Sequence, residues 1–150
     1  MKSRGGELEA METMFAALAD ITRLRILNLM RDGEVCVCFF SEALGESQPK
    51  ISRHLAYLRK SGLVETRRDG KWIHYSIESG LTEHARKILD EALKWIDGES
   101  LGATDRENLM NVCCAVDAPI TIDRAPKPSF AQETPKAPKS RAPEIETFLL

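Results

Sequence analysis

The 150-residue sequence predicts a mainly α-helical domain that carries one β-hairpin, an α+β fold. Apolar residues recur with a helical period in several segments before residue 62, and again between residues 82 and 96. A short helix, a tight connection containing Gly45 and a polar-faced helix follow one another, which is the pattern of a helix-turn-helix. Two β-prone runs then flank Asp69-Gly70, a dipeptide that favours hairpin turns. A helix-turn-helix followed by a hairpin is a winged helix.

Two helices are predicted ahead of the helix-turn-helix. Residues 7–19 contain no Gly or Pro and place apolar side chains at helical spacing: Leu8, Met11, Phe15 and Leu18. Asp20 can cap a second helix, and the density of apolar residues after it predicts that this helix is largely buried. It should end near Asp32-Gly33.

The helix after Gly45 carries its own start and stop signals. Residues 36–44 predict a short helix that Gly45 closes. Ser47 can then cap the next helix, Pro49 is tolerated in its first turn, and Gly62 can supply the left-handed residue that ends it. We therefore expect a helix over residues 48–61, with one apolar stripe facing the core and a basic, hydrogen-bonding face opposite.

The predicted DNA contacts lie on this helix and on the hairpin. Arg, Gln and Ser can bond to base edges, and Lys and Arg can reach phosphates. On the helix the candidates are Ser47, Gln48, Lys50, Ser52, Arg53, His54 and Tyr57. On the hairpin they are Arg67, Arg68 and Lys71, with two short strands over residues 63–68 and 72–77. The alternative for the helix alone is an ordinary solvated amphipathic helix.

The distribution of charge supports DNA contact. The formal net charge is only −2, which by itself argues against a simple polyanion binder. However, residues 47–75 hold seven basic residues and two acidic ones, a net charge of +5, whereas the rest of the chain holds 14 basic and 21 acidic residues. A basic module on an acidic frame is the electrostatic pattern of a nucleic-acid-binding protein.

The composition disfavours several other classes of protein. No stretch approaches the roughly 20 apolar residues of a membrane span, and the first residues lack the apolar core of a signal peptide, so we expect a cytoplasmic protein. A thiol enzyme is a rival, but the sequence has no Cys-x-x-Cys in a βαβ setting, no phosphate loop and no carboxylate pair near a nucleophile. We therefore predict that the protein is not an enzyme.

Surplus apolar surface predicts a homodimer. Residues 7–19 and 82–96 carry more apolar side chains than a domain of this size can bury. A twofold interface would cover them and would present two reading helices to an inverted-repeat operator in double-stranded DNA. The alternative is that these side chains belong to the core of a single chain.

Three regions are predicted along the chain. Residues 1–100 should form the DNA-binding and dimerisation domain, and residues 101–116 a C-terminal extension with a weak helix over 103–116. Residues 117–150 contain six of the seven prolines, among Lys, Ser, Thr and Ala. Such a segment buries too little apolar surface to offset its ordering entropy, so we expect disorder there.

The four cysteines form two close pairs, Cys36 with Cys38 and Cys113 with Cys114. In a reducing cytosol this spacing favours metal or thiolate chemistry over structural disulfides. Two residues apart on a regular helix, Cys36 and Cys38 would point about 200° away from each other, so both can bind one ion only where the turn is unwound or not yet helical. Binding would then compete with the start of the helix and act as a switch. The alternative is a pair of small buried apolar side chains.

Four motifs stand out: Glu34-Val35-Cys36-Val37-Cys38, Ser47-Gln48-Pro49-Lys50-Ile51-Ser52-Arg53-His54-Leu55-Ala56, Ser61-Gly62-Leu63-Val64 and Gly70-Lys71-Trp72-Ile73-His74-Tyr75. They resemble the ArsR/SmtB family of bacterial repressors, and within it the arsenical-resistance repressors. The resemblance covers roughly residues 11–96. It implies a dimeric winged helix that represses a detoxification operon and leaves DNA when its inducer binds. No cofactor is required, and the implied inducer is As(III), with Sb(III) or methylarsenite as alternatives.

The sequence departs from the arsenite pattern at one position. The pattern has a third Cys three residues after the second, where this chain has Ser41. We therefore expect a composite site, in which Cys36 and Cys38 are joined by Cys113 or Cys114 of the same or the other subunit. Alternatively, a monosubstituted organoarsenical needs only two thiolates, all four could bind cadmium, lead or zinc, or the C-terminal pair could be incidental. A thiol redox sensor and a metalloid-buffering protein remain rivals. His54, His74 and His84 are expected at the surface or near DNA and not as ligands.

Overall fold

A computed structural model describes residues 4–114 and 124–132. Seven helices and three strands occur in these ranges: α1 (Arg4–Leu18), α2 (Ile21–Leu29), β1 (Val35–Cys36), α3 (Val37–Leu44), α4 (Gln48–Lys60), β2 (Val64–Asp69), β3 (Trp72–Ile77), α5 (Glu83–Asp97), α6 (Ser100–Cys114) and α7 (Ser129–Gln132). The strands form one antiparallel sheet in the order β1-β3-β2. The winged-helix prediction is confirmed. No helix in these ranges is long and apolar enough to cross a membrane.

The helix-turn-helix forms where local signals predicted it. Gly45 ends α3 with a φ of +65°, in the left-handed region that favours glycine. The Ser47 hydroxyl accepts a hydrogen bond from the Lys50 amide at 3.4 Å and caps α4. Ile51, Leu55 and Leu58 are buried, so the apolar stripe of α4 packs on the core and its basic face points outward.

The wing contains a third strand that the sequence did not predict. Asp69 pairs with Trp72 across the hairpin turn, as expected from Asp-Gly. In addition, Val35 pairs with Tyr75 and Cys36 with His74. The prediction that α3 begins at Cys36 was therefore wrong, because the backbone of Cys36 is extended and bonds to the wing.

The C-terminal part of the chain is more ordered than its composition predicted. Residues 100–114 form a full helix that packs against α2, α3 and α5, where a weak helix over 103–116 was expected. Within the predicted disordered region, residues 124–132 are folded, with Ala125, Pro128 and Ala131 buried. The few small apolar side chains of this stretch find a surface to pack on, and disorder over residues 117–150 as a whole stays a prediction. The other residues after 114 lie outside the described residues.

We predict that Gly102→Ala destabilises the domain by about 1–3 kcal/mol, the usual cost of overpacking. Gly102 is buried in the first turn of α6, close to the end of α5. A Cβ placed there would lie 2.2 Å from the carbonyl oxygen of Ile96. The backbone must therefore shift to admit it. Urea denaturation checks this. Gly98→Ala is the matched control, because its nearest contact, the Trp95 carbonyl oxygen, would be 3.3 Å away. Equal midpoints for the two variants would contradict the prediction.

Candidate DNA interface and cysteine pair

The exposed face of α4 presents the predicted base-reading side chains. Gln48, Ser52 and Arg53 are all exposed. Among the described residues, Arg53 forms no ion pair, so its guanidinium is available for a partner from outside. Ser47 and Lys50 already have partners within the protein, since Ser47 caps the helix and Lys50 forms an ion pair with Glu46 at 2.9 Å. A surface ion pair of this kind is weak enough for a phosphate to replace it.

The remaining two candidates on α4 contact the start of α2. His54 Nδ1 lies 3.7 Å from Asp20 Oδ1, and Asp20 also accepts the Arg23 amide as the N-cap of α2. The Arg23 guanidinium stacks 4.2 Å from the centroid of the Tyr57 ring. Arg23 in turn donates to the carbonyl oxygen of Ala17 at 2.7 Å. His54 and Tyr57 therefore help to fix the position of α4 on α2, a role that their sequence spacing did not indicate.

The wing carries its basic residues on exposed strand ends. Arg67 binds Glu34 through two nitrogens, with Nη2 2.5 Å from Oε1 and Nε 3.1 Å from Oε2. The hydrogen bonds from Arg67 hold the pKa of Glu34 below its usual value. Arg68 Nε donates to the carbonyl oxygen of Gly70 at 3.2 Å, and the Lys71 ammonium lies 4.9 Å from the Trp72 ring centroid. Arg68 and Lys71 are thus free of carboxylate partners among the described residues.

The two N-terminal cysteines are adjacent at the junction of the wing and the helix-turn-helix. Cys36 ends β1 and Cys38 lies in the first turn of α3; both are buried, with Sγ atoms 3.5 Å apart. The opposed directions expected on a regular helix do not apply, because Cys36 precedes the helix with φ −67° and ψ 141°. The predicted competition between ligand binding and a regular helix start therefore loses its basis, since no turn has to unwind to bring the thiols together.

A hydrogen bond between the thiols sets their protonation. The Cys38 thiol donates to Cys36, which lowers the pKa of Cys36 to about 7, and backbone amides add to this effect against the opposing effect of burial. The same hydrogen bond, together with burial, raises the pKa of Cys38. Cys36 is therefore the thiol of the pair that ionises more readily, and it is partly ionised near neutral pH. A thiolate is the form that attacks electrophiles and binds soft metals.

The C-terminal cysteines differ from each other and do not complete a three-ligand group. Cys113 is buried, and burial raises its pKa to about 11, whereas Cys114 is exposed. In the described part of the chain, no three His, Cys, Asp or Glu side chains are placed to hold one metal ion. The predicted composite site is thus not assembled within these residues of a single chain.

His74 differs from its prediction. It was expected at the surface or near DNA, but it is 5% exposed and lies on β3, the central strand of the sheet, between β1 and β2. Its Nε2 has no hydrogen-bond partner among the described residues and lies 4.0 Å from Asp69 Oδ2. Two further buried or partly buried groups were missed by sequence analysis, namely Asp105, which binds Arg25, and Glu34, which binds Arg67. Nothing in their local sequence distinguishes them from surface charges.

A helix-turn-helix packed on the core, an outward basic helix face and a basic hairpin define a winged helix-turn-helix DNA-binding protein. Residues 20–66 match the family described as bacterial regulatory protein, arsR family. The arsenical resistance operon repressor of Escherichia coli is 47% identical over 106 residues, which cover 70% of this chain and 89% of that protein. The chain therefore belongs to the ArsR family of bacterial transcriptional regulators, and the resemblance of its motifs is confirmed.

Two further comparisons agree with this assignment. The arsenic resistance transcriptional regulator ArsR1 of Pseudomonas putida is 40% identical over 105 residues, covering 67% of this chain and 73% of that protein. Among solved structures, the homodimeric winged helix-turn-helix domain of a possible ArsR-family regulator from Mycobacterium bovis superimposes with a TM-score of 0.55 and 28% identity. That match covers 67% of this chain and 90% of the other. The name of the Pseudomonas putida protein refers to arsenic resistance, and the description of the Mycobacterium bovis domain calls that domain homodimeric.

Proposed function

We propose that the protein is a homodimeric, arsenic(III)-responsive repressor without enzymatic activity. The exposed face of α4 reads an inverted-repeat operator, the wing contacts its backbone, and a thiophilic metalloid bound by Cys36 and Cys38 releases the DNA. The observation that carries the proposal is the buried thiol pair with its 3.5 Å separation at the junction of wing and α3. Arsenical resistance among the named relatives supports the choice of metalloid.

The chemistry of the pair suits a trivalent arsenical. Methylarsenite, CH3As(OH)2, can condense with two thiols, forming two As–S bonds and releasing two water molecules, which leaves no arsenic position for a third sulfur. Arsenite, As(OH)3, keeps one hydroxyl after the same two steps and gains from a third thiolate. The two-thiolate geometry therefore favours methylarsenite on a single chain. We retain Cys113 or Cys114, from the same or the partner subunit, as the proposed third ligand for arsenite or antimonite.

The location of the pair provides a route to the DNA-binding elements. Cys36 belongs to a strand bonded to the wing strand β3, and Cys38 belongs to the first helix of the helix-turn-helix. A ligand that binds both sulfurs joins these two elements through a rigid bridge. If the bridge changes their relative angle, the wing and α4 no longer fit the same stretch of DNA. Release follows when the ligand binds the free form more tightly than the DNA-bound form.

We predict that Cys36→Ser abolishes the metalloid response while operator binding is retained. Without Cys36 the only acidic thiol of the pair is lost, and one sulfur cannot chelate. The measurement is fluorescence anisotropy of a duplex that the wild-type protein selects from a random-sequence library, hereafter the selected duplex. Complexes of this duplex with the wild-type protein or with each variant are titrated with arsenite, antimonite, methylarsenite, cadmium and zinc.

The double variant Cys113→Ser/Cys114→Ser separates the two models of the site. If arsenite releases wild type but not this variant, the composite site holds. If the variant still responds, Cys36 and Cys38 suffice. Full release of the duplex from Cys36→Ser by every metalloid would contradict the assignment of the pair.

The two close thiols, one of them acidic, favour a redox sensor as a second candidate. In such a sensor Cys36 and Cys38 form a disulfide on oxidation. Release by peroxide but not by arsenite would support it.

The apolar side chains left exposed support the proposed dimer. On α1, Leu8, Met11 and Phe15 are 64%, 47% and 49% exposed at helical spacing, and Trp95 on α5 is 77% exposed. Large apolar side chains left this exposed on two helices are what a subunit interface would cover. We predict that Phe15→Glu shifts the protein to monomers by analytical ultracentrifugation and weakens binding to the selected duplex. Thr13→Glu, on the same helix, is the control. A Phe15→Glu variant that remains dimeric would contradict this interface.

A further inference from the structure

The C-terminal extension, redefined by the structure as α6 together with residues 124–132, packs against the first helix of the helix-turn-helix. Of the eight residues of α3, five are buried and none is exposed. This is unusual for a short helix near the surface, and the cause is α6, which packs along it. The extension therefore covers the face of α3 that would otherwise meet solvent.

The extension holds the C-terminal end of α3 through hydrogen bonds. Asn108 Nδ2 donates to the carbonyl oxygen of Ala43 at 3.3 Å. Arg25 Nη2 donates to the carbonyl oxygen of Leu44 at 3.4 Å, and Asp105 holds that guanidinium at 2.7 and 2.8 Å. The last carbonyls of a helix have no partner within it, so these side chains occupy sites that water would otherwise fill. The chain turns into α4 directly after this point.

The extension also packs on the approach to the N-terminal end of α3. The Phe130 ring lies against Gly33, where a Cβ would be 3.3 Å from Cδ1. Gly33 has a φ of +154° and leads directly into the strand that ends at Cys36. Next to it, residues 126–129 line a cleft of about 190 Å³ with Glu34, Arg67 and His74. One segment thus packs on the loop before the cysteine pair and lines a cleft that wing residues also line.

We propose that the C-terminal extension is a clamp that fixes α3, and with it the reading helix α4, in the orientation that fits DNA. The inference rests on the proposed DNA-binding function. Because α6 holds the C-terminal end of α3 and Phe130 packs on Gly33 ahead of β1, neither α3 nor the loop before it can move without loss of these contacts. Only residues 45–47 separate α3 from α4, so a tilt of one moves the other. Asn108, Asp105 and Phe130 are accordingly positioning residues, since none of them belongs to the predicted DNA-contacting face.

The test uses full-length Asn108→Ala and Phe130→Ala, because Asp105→Asn is expected to destabilise the whole domain. Asn111→Ala is the matched control, since Asn111 lies on the same helix, is exposed and forms no side-chain hydrogen bond with the described residues. Anisotropy with the selected duplex gives the Kd, and titration at high DNA concentration gives the active fraction. If the substituted residue has only a structural role, its replacement lowers the active fraction and leaves the Kd of the folded protein unchanged.

We expect each of the two variants to raise the Kd for the selected duplex on the order of tenfold, equivalent to about 1.4 kcal/mol. The active fraction and the Kd for methylarsenite should stay at the wild-type values, and Asn111→Ala should match wild type throughout. A Kd within about twofold of wild type for both variants, or a loss confined to the active fraction, would overturn the clamp. If the wild-type protein selects no duplex, the proposed function itself is wrong and the clamp falls with it.

Discussion

Arg53→Ala should weaken binding to the selected duplex by about 10- to 100-fold, the effect of losing one good bidentate contact to a base. Arg53 is exposed on the outer face of α4, and its guanidinium forms no ion pair with the described residues. Its removal therefore breaks no internal ion pair in the described part of the chain. The loss should appear as reduced discrimination between the selected duplex and a scrambled one, since base contacts determine specificity.

Arg68→Ala provides the contrasting variant. Arg68 lies on the wing and bonds only to the carbonyl oxygen of Gly70 among the described residues. If Arg68 contacts a phosphate, Arg68→Ala should weaken binding to the selected duplex and to the scrambled duplex alike. It should also reduce the slope of log K against log salt by about one. Lys87→Ala, remote on α5, serves as the charge control. Unchanged affinity of Arg53→Ala for the selected duplex would show that α4 is not the reading helix. Both arginine variants should bind methylarsenite like wild type.

The elements that the sequence predicted well are those with local signals. Ser47, Pro49 and Gly62 define α4 without reference to any other part of the chain, and the observed helix follows them. The hairpin likewise depends on Asp69-Gly70 alone. In each case the physical cause lies within a few residues of its effect, so the sequence displays it directly.

The geometry of the cysteine pair could not be predicted in the same way. Cys36 is extended because it pairs in the sheet with His74, far along the chain. A strand of two residues has no period of its own, and the apolar run from Val35 to Phe40 fits a helix equally well. The spacing Cys-Val-Cys suggested a ligand pair, but only the sheet shows why the two thiols meet. It also shows that their chemistry is linked to the wing.

The packing of the C-terminal extension could not be predicted because composition reports averages. A segment rich in Pro and Lys predicts disorder, and nothing in that composition indicates that Ala125, Pro128 and Ala131 are buried. On α6, Asp105 looks like any surface carboxylate, and its partner Arg25 lies 80 residues earlier. Pairing of buried charges across such a separation depends on tertiary packing, which neither periodicity nor charge counts contain.

Breaking the Arg25–Asp105 pair should destabilise the domain more than Gly102→Ala does. The Asp105 side chain is 2% exposed and that of Arg25 17%, and the two are joined by a bidentate bond. The hydrogen bond to Asp105 raises the pKa of Arg25 above its usual value, so the guanidinium stays charged. Asp105→Asn removes the hydrogen-bonded counterion of this partly buried charge, and only the more distant Glu46 carboxylate remains near it. Removing one partner of such a pair costs about 3–5 kcal/mol.

The free energy of unfolding should therefore fall by about that amount in urea denaturation at a fixed protein concentration, with the m-value unchanged. Replacing both partners separates the two effects of the substitution. In Arg25→Met/Asp105→Leu no buried charge remains, and apolar replacements of buried ion pairs are often neutral, so most of the lost stability should return. Glu83→Gln, which removes the exposed partner of Lys87, should leave the midpoint unchanged. If the double variant is as unstable as Asp105→Asn, the loss comes from packing and not from the unpaired charge.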